Sequence, residues 1–238
     1  MKIVILAGGA GTRLKEIIKD IPKPMALVGG RPFLEYLILQ LSKWRLNDII
    51  ISVGYKKNII KAYFGNGQKW GVNIAYSEED KPLGTGGAVK KALRLIDNKQ
   101  FIVMNGDSFL GINFDKFIKF HKKRCASASI GLVHIEQANR FGKVKMNDKN
   151  EITEFVEKGS DNQGLMNGGI YIFNCDILMN MPDGKVSLEY DFIPTLTNKG
   201  LCGVKVKGFF VDIGIPQDYL NLCNNVGRLI RAIEPFPR

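Results

Sequence analysis

The chain has little of what metal and redox sites are commonly built from. It holds two histidines and four cysteines in 238 residues. Cys125, Cys175, Cys202 and Cys223 are widely scattered with no C-x-x-C pair, so neither a zinc knuckle nor a dithiol motif is supported. His121 and His134 are read as surface or helix residues rather than catalytic ones. No apolar run reaches ~18 residues, which leaves no candidate transmembrane helix. The start carries no charged region followed by an apolar signal core, so the expected location is cytoplasmic. The net charge is +11, yet no basic run is interleaved with aromatic residues. Lys56-Lys57, Lys90-Lys91 and Lys122-Lys123-Arg124 read as solvated helix faces, with some excess charge left to steer anions. Neither nucleic acid nor membrane is an expected partner.

What the chain does have is an alternation of apolar runs and helical stretches. Strands are expected at Ile3 to Leu6, Asp48 to Val53, Val72 to Tyr76, Phe101 to Met104 and Ala128 to Val133. Helices are expected at Phe33 to Trp44, Ile59 to Phe64, Gly86 to Leu95 and Phe114 to Arg124. This rhythm predicts an α/β fold with helices on both faces of a central sheet. The second half is richer in strands, at Gly142 to Met146, Ile152 to Glu157, Gly169 to Asn174 and Leu201 to Lys207. With no Pro/Ser-rich linker, residues 1–223 are read as one domain, with halves of about 1–110 and about 111–223 sharing a cleft. For residues 224–238 an extra helix, an oligomer contact and a terminal remnant are all compatible with the sequence.

The most informative segment is Leu6-Ala7-Gly8-Gly9-Ala10-Gly11-Thr12-Arg13-Leu14. It follows a buried-strand run, and its glycines allow a sharp turn whose amide N–H groups can hold an anion. The dinucleotide fingerprint fails because Leu14 stands where its last glycine is needed, and the P-loop pattern is absent. A tight turn with no ligand would also use glycines. Arg13 and the proline-framed Lys23 add fixed positive charge and point instead to a triphosphate.

Leu6 to Leu14 together with Ile21-Pro22-Lys23-Pro24-Met25 resembles the signature of the sugar-1-phosphate nucleotidylyltransferases. Four further segments resemble that family in the family's order. They are Pro82-Leu83-Gly84-Thr85-Gly86-Gly87-Ala88, Asn105-Gly106-Asp107, Glu157-Lys158 with Asn167-Gly168-Gly169-Ile170-Tyr171, and Phe210-Val211-Asp212-Ile213-Gly214. Within the family, Asp20 to Ala26 and Gly84 to Gly87 look most like the D-glycero-D-manno-heptose 1-phosphate guanylyltransferases. The resemblance implies a Rossmann-like three-layer fold with a central mixed, mostly parallel sheet, in which about 1–110 is the nucleotide half and about 111–223 the sugar half. It implies GTP and a sugar 1-phosphate as substrates, Mg²⁺ as cofactor, and a product used in surface glycan assembly. Related enzymes are monomers, dimers or tetramers, so a homo-oligomer is compatible with it.

The implied catalytic residues are Arg13, Lys23 and Asp107. The implied nucleotide site comprises Leu6, Ala7, Gly8, Gly9, Gly11, Thr12, Arg13, Lys23, Glu79, Gly84, Thr85, Asn105 and Asp107. Gly142, Glu157, Lys158, Asn167 and Gly168 are expected at the sugar phosphate, and Asp107 and Asp212 at the metal. Mg²⁺ takes one or two protein carboxylates with phosphates and water, which suits two aspartates. Asp107 after a strand could equally be a turn residue, and Lys23 an exposed loop lysine. Base choice is read from Glu78-Glu79-Asp80. An ionised carboxylate accepts both N–H donors on one edge of guanine and repels the carbonyls of uracil or thymine. Glu79 stands where pyrimidine-using relatives carry glutamine. The same acidic run could be a solvated loop. Mannose 1-phosphate or glucose 1-phosphate with another nucleotide, and a catalytically silent nucleotide-binding subunit, are the competing readings.

Overall fold

The computed structural model describes residues 1–9, 11–14, 17–135, 142–156 and 163–234. The chain runs β1 (Ile3–Leu6), β2 (Leu27–Val28), β3 (Arg31–Pro32), α1 (Phe33–Lys43), β4 (Asp48–Val53), α2 (Lys57–Phe64), β5 (Asn73–Glu78), α3 (Gly84–Ala92) and β6 (Gln100–Asn105). It continues through β7 (Ser108–Leu110), α4 (Phe114–Lys123), β8 (Ala128–Ile135), β9 (Lys143–Met146), β10 (Ile152–Val156), β11 (Gly164–Asn174) and α5 (Cys175–Met179). A π-helical turn (Leu188–Phe192) precedes β12 (Leu201–Val206), β13 (Phe210–Asp212), α6 (Pro216–Asn224) and α7 (Val226–Ile233).

A nine-stranded mixed sheet forms the centre. From β6 through β1 and β4 to β5 the strands are parallel. β11 enters antiparallel beside β6 and carries β8 and β9 along its other edge. Both faces are covered, which is why the strands read as continuous apolar runs. Ile3 and Ile5 point into a core shared with α1, α2, α4, α6 and α7, while Val4 points into one shared with α3, α5 and the π-helical turn. This is the expected fold class, helices on either side of a mixed sheet.

The chain leaves β1 for β4 and β5 on one side, then crosses back to β6 on the other. The carboxyl ends of β1 and β6 therefore flank a topological switch point, the place where open α/β sheets bind ligands. Gly8 follows the first strand and Asp107 the second.

Some elements differ from expectation. β11 begins at Gly164, five residues before the expected start at Gly169. Its pairing with β8 steps from Asn167–Leu132 to Tyr171–Ile130, so two extra residues bulge out there. The bulge breaks the alternation that marks a strand. His121 is not a surface residue. It lies on α4 with no exposure, its Nδ1 2.9 Å from Ser129 Oγ and its Nε2 3.2 Å from Asn174 Oδ1. Burial pushes its pKa down, so it is a neutral tie between α4 and the sheet. His134 is exposed at the end of β8. The helix α7 docks on α1, burying Leu229 and Ile233, and Lys43 Nζ meets Glu234 Oε1 at 3.0 Å. Among the described residues no helix is long and apolar enough to cross a membrane.

Candidate active site

The switch point opens into a cavity of about 1020 Å³. That is at the upper end of the ~300–1,000 Å³ usual for ligand clefts. Leu6, Ala7, Gly8, Gly9, Gly11, Arg13, Lys23, Glu79, Gly84, Thr85, Asn105 and Asp107 all line it. The expected nucleotide residues thus converge, apart from Thr12, whose side chain lies outside the described residues.

The turn after β1 is fixed by backbone bonds at both ends. Ala7 N–H donates to Ser52 O at 2.8 Å and Leu14 N–H to Gly11 O at 3.1 Å. Gly11 has φ +58°, and a Cβ there would lie 2.7 Å from Lys23 Cβ. Only glycine allows both the left-handed backbone and the approach of Lys23. On the far side, Pro22 enters at φ −66° and Pro24 and Met25 are buried, so Lys23 projects from a stiff 3₁₀ turn.

Lys23 Nζ lies 2.6 Å from Asp107 Oδ2 and 4.0 Å from Asp212 Oδ1. The two aspartates are 105 positions apart in sequence, and a short ladder joins them. β7 leaves Asp107 directly and pairs antiparallel with β13, placing Asp212 opposite Ser108. Asp107 O also accepts Ile213 N–H at 2.9 Å. Burial first, then the charge of Asp107, pushes the Asp212 pKa up to about 6, against relief from Lys23. Two buried polar atoms flanking this pair, Asn105 Oδ1 and Ser108 Oγ, have no partner among the described residues. Such unmet groups cost stability and call for an explanation.

The donor set fits a hard divalent cation. Asp107 and Asp212 offer oxygen ligands, and no third His, Cys, Asp or Glu joins them among the described residues. Mg²⁺ ordinarily completes such a pair with phosphate oxygens and water. The cavity walls also need the extra charge. Arg13, Lys23, Lys81 and Lys185 stand against Glu79, Asp80, Asp107, Glu189 and Asp191. The surplus of positive charge in the chain is thus not concentrated in the cleft.

The acidic run divides clearly. Lys57 Nζ lies 3.0 Å from Glu78 Oε2, and Lys61 pairs with the same carboxylate, holding its pKa down to about 2. Asp80 lies 3.8 Å from both Lys57 and Lys91. Glu79 turns inward, taking hydrogen bonds from Ser52 Oγ at 3.2 Å and Leu83 N–H at 3.0 Å. Of the three acids, it alone has no lysine partner among the ion pairs of the described residues.

The glycines of Gly84-Thr85-Gly86-Gly87 serve packing as much as ligand. A Cβ on Gly84 would collide with Val186 O, and one on Gly87 with Gly184 O. Their absence lets α3 close onto the 184–191 segment. Thr85 Oγ1 donates to Glu189 Oε2 at 2.6 Å and accepts Leu188 N–H at 2.8 Å. Tyr171, fully buried, donates to Glu189 Oε1 at 3.3 Å and accepts from Asn167 Nδ2 at 2.8 Å. Burial first and the Glu189 charge second raise the Tyr171 pKa well above its ordinary value, so it stays a neutral donor. This chain of bonds links α3, through the π-helical turn, to the bulged part of β11.

The sugar-side residues are less fully gathered. Asn167 faces this network and also accepts Gly169 N–H at 2.9 Å. Gly168 is buried in the bulge against Leu110 and Gly131. Gly142 is exposed at the start of β9. None of these three lines the cavity. Glu157 and Lys158 lie outside the described residues.

Sequence reasoning missed the wall formed by Lys185, Ser187, Glu189, Tyr190 and Asp191. Ser187 Oγ accepts Tyr190 N–H at 3.2 Å and Ser187 N–H donates to Asp191 Oδ2 at 2.7 Å. A serine at the N-cap with acidic residues, Glu189 and Asp191, in the first turn is a helix-start signal that could have marked this turn.

The family described as "Nucleotidyl transferase" matches residues 2–228. The chain is 40% identical over 228 residues to D-glycero-alpha-D-manno-heptose 1-phosphate guanylyltransferase of Campylobacter jejuni, covering 94% of this chain and 100% of that one. It is 38% identical over 225 residues to the protein of the same name from Aneurinibacillus thermoaerophilus, covering 92% and 95%. The crystal structure of HddC from Yersinia pseudotuberculosis complexed with GMP-PN superposes with a TM-score of 0.85 at 36% identity, covering 94% of this chain and 99% of that one. A glycine turn, a framed lysine and two aspartates meeting at the switch point are thus carried by a chain that belongs to the nucleotidyl transferase family.

Proposed function

We propose that the chain transfers GMP from GTP to D-glycero-α-D-manno-heptose 1-phosphate, giving GDP-heptose and pyrophosphate in the cytoplasm. The observation that carries this reading is Lys23 standing between Asp107 and Asp212 beside the glycine turn. The guanylyl and heptose parts are supported by the relatives of the same name and by the nucleotide in the HddC complex.

An ionised oxygen of the sugar phosphate attacks the α-phosphorus, forming the new P–O bond as the bond to pyrophosphate breaks. No general base is needed because the attacking oxygen carries no proton. Two anions must be brought together in line, so positioning and charge neutralisation are the main tasks. Asp107 and Asp212 would hold Mg²⁺, which when bound offsets phosphate charge. Lys23 neutralises charge at the α-phosphate and its attacker. Arg13 clamps the departing phosphates with its planar set of donors. The turn at Gly8, Gly9 and Gly11 offers backbone N–H groups to the same anion. Glu79 accepts from the guanine edge. Asn167, with Glu157, Lys158, Gly142 and Gly168, serves the sugar phosphate, and residues 1–223 act as one domain.

Pyrophosphate release with Mg²⁺, measured for four nucleoside triphosphates against heptose, mannose and glucose 1-phosphates, tests the reading. GTP with the heptose 1-phosphate is expected to exceed every other pair by tenfold or more, on the scale of one lost charged hydrogen bond. A different preferred pair would overturn the specificity and leave the chemistry. No release from any pair would favour a silent subunit.

A further inference from the structure

Ser52 is a polar residue in an apolar strand. β4 reads Asp-Ile-Ile-Ile-Ser-Val, and Ser52 has no exposed surface. A buried hydroxyl is costly unless it is hydrogen-bonded. Here its Oγ donates to Glu79 Oε1 at 3.2 Å, while Leu83 N–H donates to Oε2 at 3.0 Å. The backbone of Glu79 is held as well, its N–H donating to Val53 O at 2.8 Å.

An ionised carboxylate has about four acceptor positions. Ser52 and Leu83 take one on each oxygen, so one on each remains. The carboxylate also packs against Gly8, where an added Cβ would collide with Oε1, and it lines the cavity. The terminal torsion of glutamate is broad, so the side chain does not set its own carboxylate plane. The two donors beneath it do. Leu83 contributes through its backbone, which leaves Ser52 as the contribution that a side chain controls.

We propose that Ser52 is a positioning residue for nucleobase selection. Its hydroxyl fixes the plane of the Glu79 carboxylate so that both free acceptor positions face a base with two adjacent N–H donors. This rests on Glu79 being the group that reads guanine.

The test compares kcat/KM for GTP and for ITP, which keeps the N1–H of guanine and lacks its 2-amino group. Wild type, Ser52→Ala, Ser52→Thr, Glu79→Gln and the Ser52→Ala/Glu79→Gln double variant are measured, with Tm for each. Wild type is expected to favour GTP by roughly tenfold or more. Ser52→Ala should lower that ratio by about threefold or more, chiefly through KM for GTP, with ITP kinetics and Tm little moved. Ser52→Thr keeps the hydroxyl and should keep the ratio. In the Glu79→Gln background, Ser52→Ala should change the ratio no further. If Glu79→Gln leaves the ratio at its wild-type value, Glu79 does not read guanine and the underlying reading fails. If Glu79→Gln collapses the ratio while Ser52→Ala leaves it intact, the base reading stands and the role of Ser52 is overturned.

Discussion

Asp107→Asn is expected to lower kcat by roughly 10³-fold, the scale on which a single electrostatic contact at a reacting centre acts. The carboxylate stands at the carboxyl end of β6, 2.6 Å from Lys23 Nζ. Replacing one oxygen with an amide removes the carboxylate proposed to hold the cation and releases Lys23 from its charged partner. Little else should change. The side chain of Asp107 is 38% exposed, and its link to the second ladder runs through its backbone oxygen, which accepts Ile213 N–H. Tm should therefore stay within a few degrees of wild type, as for surface substitutions generally. Steady-state kinetics and a thermal melt on the same preparation check both halves. Near-normal turnover would place the cation and the reacting phosphate elsewhere in the cleft.

Asp212→Asn is expected to behave differently, losing activity while gaining stability in protein stripped of divalent metal. Burial and the Asp107 charge lift the Asp212 pKa from an ordinary 3.8 to about 6. Between those values the folded chain binds more protons than the unfolded one, so this group's contribution to stability falls as pH rises through that window. Above pH 6 the whole penalty is present. Asparagine removes it, and after discounting for the 32% of the side chain that is exposed the gain is about 1 kcal/mol at neutral pH. The gain should shrink towards pH 4, where wild type is protonated. Chemical denaturation with a chelator, at several pH values, reads this directly. A variant less stable than wild type at pH 7.5 would mean that Asp212 is satisfied by its surroundings and is not held for a cation. Polar groups poised for a ligand are a common place for proteins to sacrifice stability.

The legible parts of this molecule were those with period or charge. β1, β4 and β6 are buried on both faces and read as apolar runs, while α1 shows Phe33, Leu37 and Leu41 at helical spacing. The family resemblance assigned Lys23, Asp107 and Asp212 to one site, and the ladder between β7 and β13 is what brings the two aspartates together. Those two strands have three residues each, too few for an alternation to show. Of the two alternatives for His121, surface or helix, the structure shows the helix, and Phe114, Phe117 and His121 share the i, i+3, i+7 face that α4 buries. The turn carrying Glu189 and Tyr190 is only five residues long, and its place in the cleft follows from bonds to Thr85 and Tyr171 more than 15 residues away. Gly84 to Gly87 matched a nucleotide-binding pattern, yet the packing of α3 on Val186 and Gly184 is a separate demand for glycine. No local pattern reveals a distant backbone.

The central claim is attack at the α-phosphorus of GTP in the cluster of Lys23, Asp107 and Asp212. GTP carrying radiophosphorus at the α position, and separately at the γ position, tests it when incubated with Mg²⁺ and heptose 1-phosphate. The account predicts that the α label appears in a nucleotide sugar and the γ label in pyrophosphate, with both transfers lost in Lys23→Ala. Label from the γ position on the sugar, or α label left entirely in GTP while pyrophosphate fails to form, would contradict it.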